Sequence, residues 1–212
     1  MPNLMKRFVL YIFGLFIGAF GVAFAIQSNL GLSPMNSLPY VLSHVLGMNM
    51  GNVVIALLAL YILIQMVILR KDFKWIDTTQ ILFSFIFGYF VDFTRFIVGD
   101  MPIASYTARL GMLLVSIVLI ATGITLFMKA RLVNLPSEGL IAAISFKVGK
   151  PFGTVAITVH TLTVLLGILV SFTFLGRVAG IGVGTILSAL LIGKLIPIVG
   201  KKVDPLLVRI GI

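Results

Sequence analysis

The chain has no cysteine, two histidines and six acidic residues in 212 positions. The first absence excludes disulfides and thiolate metal sites. The scarcity of histidine and acid leaves little with which to build a metal cluster, so neither a metal nor a cofactor is expected. Charge of any sign is rare, at 10% of residues, against about 25% in ordinary soluble domains. Sequence signatures of catalysis are missing as well. There is no Ser-His-Asp order, HExxH or Walker loop, and "GIGVG" (180–184) follows no strand. An intramembrane enzyme would need several convergent polar groups at depth, so the chain is not read as an enzyme.

What is present is apolar. Hydrophobic residues make up 60% of the sequence, more than a soluble core of this size can hide, so the chain reads as an all-α polytopic membrane protein with the lipid bilayer as its first partner. The net charge of +10 would suggest nucleic acid in a soluble protein. Here the basic residues cluster at the ends of apolar runs, where they set orientation, and no basic face interleaved with aromatics occurs. Nucleic acid is therefore not an expected partner.

Runs long enough to span a bilayer need about 20 residues. Six occur, near 8–27, 51–70, 78–98, 108–128, 153–175 and 178–199. The first follows Lys6 and Arg7 and precedes Ala23-Phe24-Ala25, as in a signal peptide. It is longer than a typical signal core of about 7–15 residues, and it belongs to a repeat, so it is expected to be a membrane helix.

The repeat is found by sliding the sequence along itself by 102 positions. Gly21 then falls on Gly123, Leu30 on Leu132, Pro34 on Pro136 and Leu38 on Leu140. Ser43 falls on Ser145, Gly47 on Gly149, Gly51 on Gly153 and Val53 on Val155. Matched Gly and Pro punctuation is harder to obtain by chance than matched Leu. The expected domains are a first repeat, 1–104, and a second, 105–212. Each holds three spans and one short segment, 33–46 or 135–147. An odd number of spans inverts the second copy. With the N- and C-termini in the cytoplasm, all of the 16 Lys and Arg residues except Arg95, Arg109 and Arg177 fall inside, as the positive-inside rule requires. The expected architecture is six transmembrane helices in two inverted-topology repeats, each with a short re-entrant or interfacial half-helix. That arrangement characterises transporters with a site at the repeat interface.

Pro34 and Pro136 sit where a helix begins, and the glycines of "GMNMG" (47–51) and "GKPFG" (149–153) close the short segments. Ser33 can cap the first. Asn36 and Glu138 occupy the third helical position, which admits two readings: a capping-box contact to the backbone, or a ligand contact beside free N–H groups at a helix start inside the membrane. Under the second, Ser33, Pro34, Asn36, Ser137 and Glu138 bind a small solute. Gln80 and Thr185, at matching positions in the two copies, either pack between helices or line the same cavity. His160, within the fifth span, is a neutral hydrogen-bonded residue or a ligand contact. His44 ends the first short segment, where it favours the negative helix end. Asp92 and Arg95 read as an interfacial pair on one face. Gly14 and Gly18 predict close helix packing, within the chain or in a homodimer.

"NLGLSPMNSLPYVLSHVLGMNMGNVV" (29–54) resembles the YczE/YyaS/YitT family of bacterial integral membrane proteins, through Gly31, Ser33, Pro34, Asn36, Leu38, Gly47 and Gly51. "ARLVNLPSEGL" (130–140) and "GIGVGTILSALLIG" (180–193) are similar to two further stretches of that family. The resemblance implies a multi-pass protein of the bacterial inner membrane. Asn36 departs from it, standing where the family carries an acid, and "IDTTQ" (76–80) lacks the family's glycines. The leading functional reading is a permease for a small polar or anionic solute. The alternatives are a channel on the same scaffold and a non-catalytic accessory or scaffold protein.

Overall fold

The computed structural model describes residues 2–99 and 103–209. Among them no strand occurs, and eight α-helices follow one another: α1 (Pro2–Ser28), α2 (Pro34–Leu46), α3 (Met50–Leu69), α4 (Gln80–Val98), α5 (Tyr106–Lys129), α6 (Pro136–Val148), α7 (Phe152–Leu175) and α8 (Val183–Arg209). Two 3-10 turns, Arg70–Asp72 and Trp75–Thr79, join α3 to α4. All the α-helices except α2 and α6 are long and apolar enough to cross a membrane, making six candidate spans among the described residues.

Local sequence explains most boundaries. α2 and α6 are 13 residues each and both open on proline, which lacks the N–H that a helix start leaves unpaired anyway. Gly47 and Gly149 stop them in the left-handed region, at φ +63° and +64°. The sixth span differs from its expectation. It starts at Val183 rather than 178, because Gly176 and Gly180 both take positive φ and break the chain. It then runs past 199 to Arg209, through Pro197 and Pro205. Hydropathy marks how deep a residue lies, not where its helix ends, and Lys201, Lys202 and Asp204 are compatible with a helix that leaves the apolar layer.

The helices group into two compact units. The first gathers α1, α4 from Phe90 onward, α5 and α8. Its centre is the α1–α5 pair, which crosses at glycine. A Cβ on Gly123 would lie 2.6 Å from the Gly14 carbonyl oxygen and the Gly18 nitrogen, and a Cβ on Gly14 would lie 2.7 Å from the Phe127 nitrogen. Gly14 and Gly18 thus serve a contact within the chain. Lipid tails are as apolar as leucine, so helices in a membrane gain little by hiding apolar surface from each other and rely on close van der Waals approach. Removing side chains at the crossing permits that approach.

Both ends of the pair are tied by arginine. The Arg7 guanidinium donates to the carbonyls of Ala130 (2.6 Å) and Arg131 at the end of α5. Arg109 donates to the carbonyls of Ser28 (2.8 Å) and Asn29 at the end of α1. Each helix start therefore satisfies the orphan carbonyls of the other helix's end, where a cation also suits the helix dipole. α8 packs on α5, with Thr125 donating to the Ile196 carbonyl at 3.4 Å and Lys129 paired to Asp204 at 2.6 Å.

The second unit gathers α2, α3, α4 up to Tyr89, α6 and α7. Within it α2 packs on α7 and α6 on α3, with α2 also touching α3 and α6 touching α7.

Candidate functional site

The second unit contains a small, partly open cavity of about 40 Å³. Asn36 reaches it from the first turn of α2, and Ser137 from the first turn of α6. Pro39, Leu58, Tyr61 and Phe87 form part of the wall, which is largely apolar. A water needs roughly 10–15 Å³ of such space, so the volume suits a few atoms. Its polar lining comes from Tyr61 of α3 and from two helix starts, each with N–H groups that lack intrahelical partners. Pro39 adds a further feature. It has no N–H to close on the Met35 carbonyl, and both residues border the cavity.

The two starts are held differently. In α6, the Gln65 amide of α3 donates to the Pro136 carbonyl at 3.0 Å and, more weakly, to Gln80 Oε1 at 3.4 Å. Gly139 makes room for this, since a Cβ there would lie 2.5 Å from Gln65 Oε1. In α2, the Pro34 carbonyl accepts instead from Ser37 of the same helix, at 2.8 Å. Ser37 is the residue 102 positions before Gly139, and Gly167 stands 102 positions after Gln65.

Glu138 lies on α6, outside the six candidate spans. Its carboxylate accepts from the Ser137 hydroxyl at 2.7 Å. Leu135, the residue before α6, has no polar side chain to cap it, and the carboxylate also accepts from the Glu138 backbone N–H. Loss of surrounding water pushes the Glu138 carboxyl above its ordinary range, and the hydrogen bonds from Ser137 and from its own backbone pull it part of the way back.

Of the residues singled out from sequence, Pro34, Asn36, Ser137, Glu138 and Gln80 meet around these helix starts in the second unit. Ser33 and Thr185 are buried in the first unit. There Thr185 Oγ1 accepts from the Gly182 N–H at 3.2 Å, as the third helical residue of a capping box does, beside a Gly184 N–H to Leu30 carbonyl bond of 2.8 Å. Gly31 packs against this turn at φ +114°, and a Cβ on it would lie 2.7 Å from the Gly182 nitrogen. His160 is half-buried on α7 and does not border the cavity. His44 is exposed and bonds the Tyr40 carbonyl at 2.9 Å. Gln65 and Tyr61 were not singled out from sequence. Their signal was available, as polar side chains within the apolar run of α3.

Residues 5–201 match the family of unknown function DUF6198. The uncharacterized membrane protein YczE of Bacillus subtilis is 30% identical over 195 residues, covering 92% of this chain and 85% of that protein. The uncharacterized protein YyaS of the same organism is 25% identical over 191 residues, covering 90% of each. The resemblance read from "NLGLSPMN" and its companion stretches is thus borne out for YczE and YyaS. No solved structure matches the chain at a significant level.

Proposed function

This chain belongs to the DUF6198 family of unknown function and is a multi-pass helical membrane protein, and from that premise we propose that it is a permease for a small polar or anionic solute held between the starts of α2 and α6. The observation that carries the reading is the cavity bordered by Asn36 from one start and Ser137 from the other. Two helix starts offer N–H donors, the Asn36 amide offers hydrogen bonds of either sense, and the Met35 carbonyl and the Ser137 oxygen, whose hydrogen goes to Glu138, offer acceptors. The apolar wall strengthens each of those contacts by excluding water. An ionised Glu138 beside Ser137 opposes an anion, so an anionic solute requires that carboxyl to be protonated, whereas an uncharged polar solute does not.

The reading includes two inverted-topology repeats, 1–104 and 105–212, with α2 and α6 as half-helices. Support comes from the packing of α2 on α7 and of α6 on α3, which exchanges equivalent partners. Arg7 and Arg109 add to it, since they stand 102 positions apart and cap each other's helix ends. Rocking of such repeats around a central site is the mechanism this architecture serves. Ser33, Thr185 and His160 take no part in the α2–α6 cavity and enter the proposal only as candidates for the solute's path. The reading puts the termini in the cytoplasm, which the positive-inside distribution of Lys and Arg supports, and the chain in a bacterial inner membrane, which the family resemblance implies.

The native lack of cysteine allows a clean test. Single cysteines at Asn36, Ser137 and Glu138 should react with small permeant thiol reagents, and a bound solute should protect them. Inertness of all three toward permeant and impermeant reagents alike would sink the site. A second reading, a non-catalytic accessory protein, is favoured by the largely apolar wall around so small a volume, and that same inertness would support it.

A further inference from the structure

The connection between α3 and α4 is short, basic and aromatic. The candidate spans Met50–Asp72 and Asp77–Val98 leave only residues 73–76 between them, so this link cannot leave the membrane boundary. Trp75, the single tryptophan of the chain, is 75% exposed and meets Phe73 edge-on at 6.3 Å. Arg70, Lys71 and Lys74 are exposed around it. The one acid among them, Asp72, is already engaged by Lys147 of α6 at 2.8 Å. That ion pair brings the end of α6 to the same place, with Phe146 66% exposed beneath the Lys147 ammonium. The acid is spent within the protein, and three cations are left without an ion-pair partner among the described residues. A tryptophan at headgroup level with unpaired cations beside it matches an anionic membrane surface.

We propose that residues 70–75, with the end of α6 joined through Lys147–Asp72, form a docking surface for anionic phospholipid headgroups. The basic side chains meet the phosphate and the ring of Trp75 lies among the glycerol and upper acyl carbons. The solitary tryptophan makes the surface directly observable. The intact protein is reconstituted into phosphatidylcholine vesicles in which a fixed fraction of either phosphatidylcholine or phosphatidylglycerol carries brominated acyl chains, and Trp75 fluorescence is recorded. Brominated phosphatidylglycerol should quench at least about twice as strongly as brominated phosphatidylcholine at equal mole fraction. The excess should shrink as salt is raised and vanish in the R70Q/K71Q/K74Q variant, while quenching by phosphatidylcholine persists. Equal quenching by the two lipids in the native protein overturns the proposal without need of the variant, as does absence of quenching by either. An excess abolished by added inorganic phosphate at constant ionic strength overturns it in favour of a soluble anion.

Discussion

At the two ends of the α1–α5 pair, residues 102 positions apart do the same work. Arg7 reaches the carbonyls at 130 and 131, and Arg109 reaches those at 28 and 29. Asn29 and Arg131 even share φ +50°. At the starts of α2 and α6, residues with the same offset do different work. The Pro34 carbonyl is served by Ser37 from within its own helix, while the Pro136 carbonyl is served by Gln65 from α3. Asn36 faces Glu138 across the offset, Ser37 faces Gly139, and Gln65 faces Gly167. A helix pair joined end to end needs the same two contacts at each end. Under the proposed permease function, a site that distinguishes a polar solute from water would gain from two unlike arms, one neutral and one ionisable.

This contrast can be broken experimentally. The largest effect is expected at the crossing of the symmetric pair. Gly123→Ala forces a Cβ to within 2.6 Å of backbone atoms of Gly14 and Gly18, and backbone cannot move aside as a side-chain tip can. A loss of about 1–3 kcal/mol is expected, read as a lowered Tm in detergent. An unchanged Tm would mean the helices are not held that closely.

Next are the arginines. Arg7→Gln and Arg109→Gln should each cost about 1–2 kcal/mol, less than a buried charged hydrogen bond because both side chains are partly exposed. The informative quantity is their difference, which should be close to zero in matched unfolding curves. A markedly larger effect at one end would show that the two ends are not equivalent.

The asymmetric pair calls for a double-mutant cycle. Gly139→Ser should displace the Gln65 amide from the Pro136 carbonyl, costing about 1 kcal/mol. In a Gln65→Ala background the added serine meets no such obstacle and can serve the carbonyl as Ser37 serves Pro34. A favourable coupling of about 1 kcal/mol is therefore expected, and strict additivity would remove Gln65 and Gly139 from the account.

The smallest effect concerns pH. The folded protein raises the Glu138 pKa above the ordinary carboxylic-acid value, so it binds that proton more tightly than the unfolded chain does. The stability this contributes is present below about pH 4.5 and is lost as pH rises through the folded-state pKa. Glu138→Gln should flatten that part of the stability–pH curve, whereas Asn36→Gln should leave its slope intact. A slope that survives Glu138→Gln would assign it to another group.

Much of the fold was legible because its signals are local. Apolar runs of spanning length needed no knowledge of neighbours. Pro34 and Pro136 with Gly47 and Gly149 bounded the two short helices to within a residue or so, since a missing N–H and a positive φ act on the chain where they occur. Gly14 and Gly18 announced a close crossing, although the partner that they meet, Gly123, lies more than 100 positions away. The bounds of α8 are not legible in hydropathy, because glycine breaks the chain within the apolar run and the helix continues past the polar residues at its end.

The candidate site was legible only in part. Asn36 and Ser137 could be named because each sits in the first turn after a proline. Gln65 is visible in the sequence as a polar side chain in an apolar run, but its role exists only against Pro136 and Gly139, 71 and 74 positions further on. Thr185, matched to Gln80 by its place in the repeat, and Ser33, the residue before Pro34, fall in the first compact unit. The amino-acid order by itself determined the class of protein, the number of its apolar spans and the boundaries of its short helices, because hydropathy, proline and glycine act through bonds and solvent close to the residue. Which carbonyl Gln65 serves, which helix end each arginine closes and which residues border the cavity were decided by tertiary structure alone, because those depend on how closely two helices approach, and that distance is set jointly by side chains that the chain itself keeps far apart.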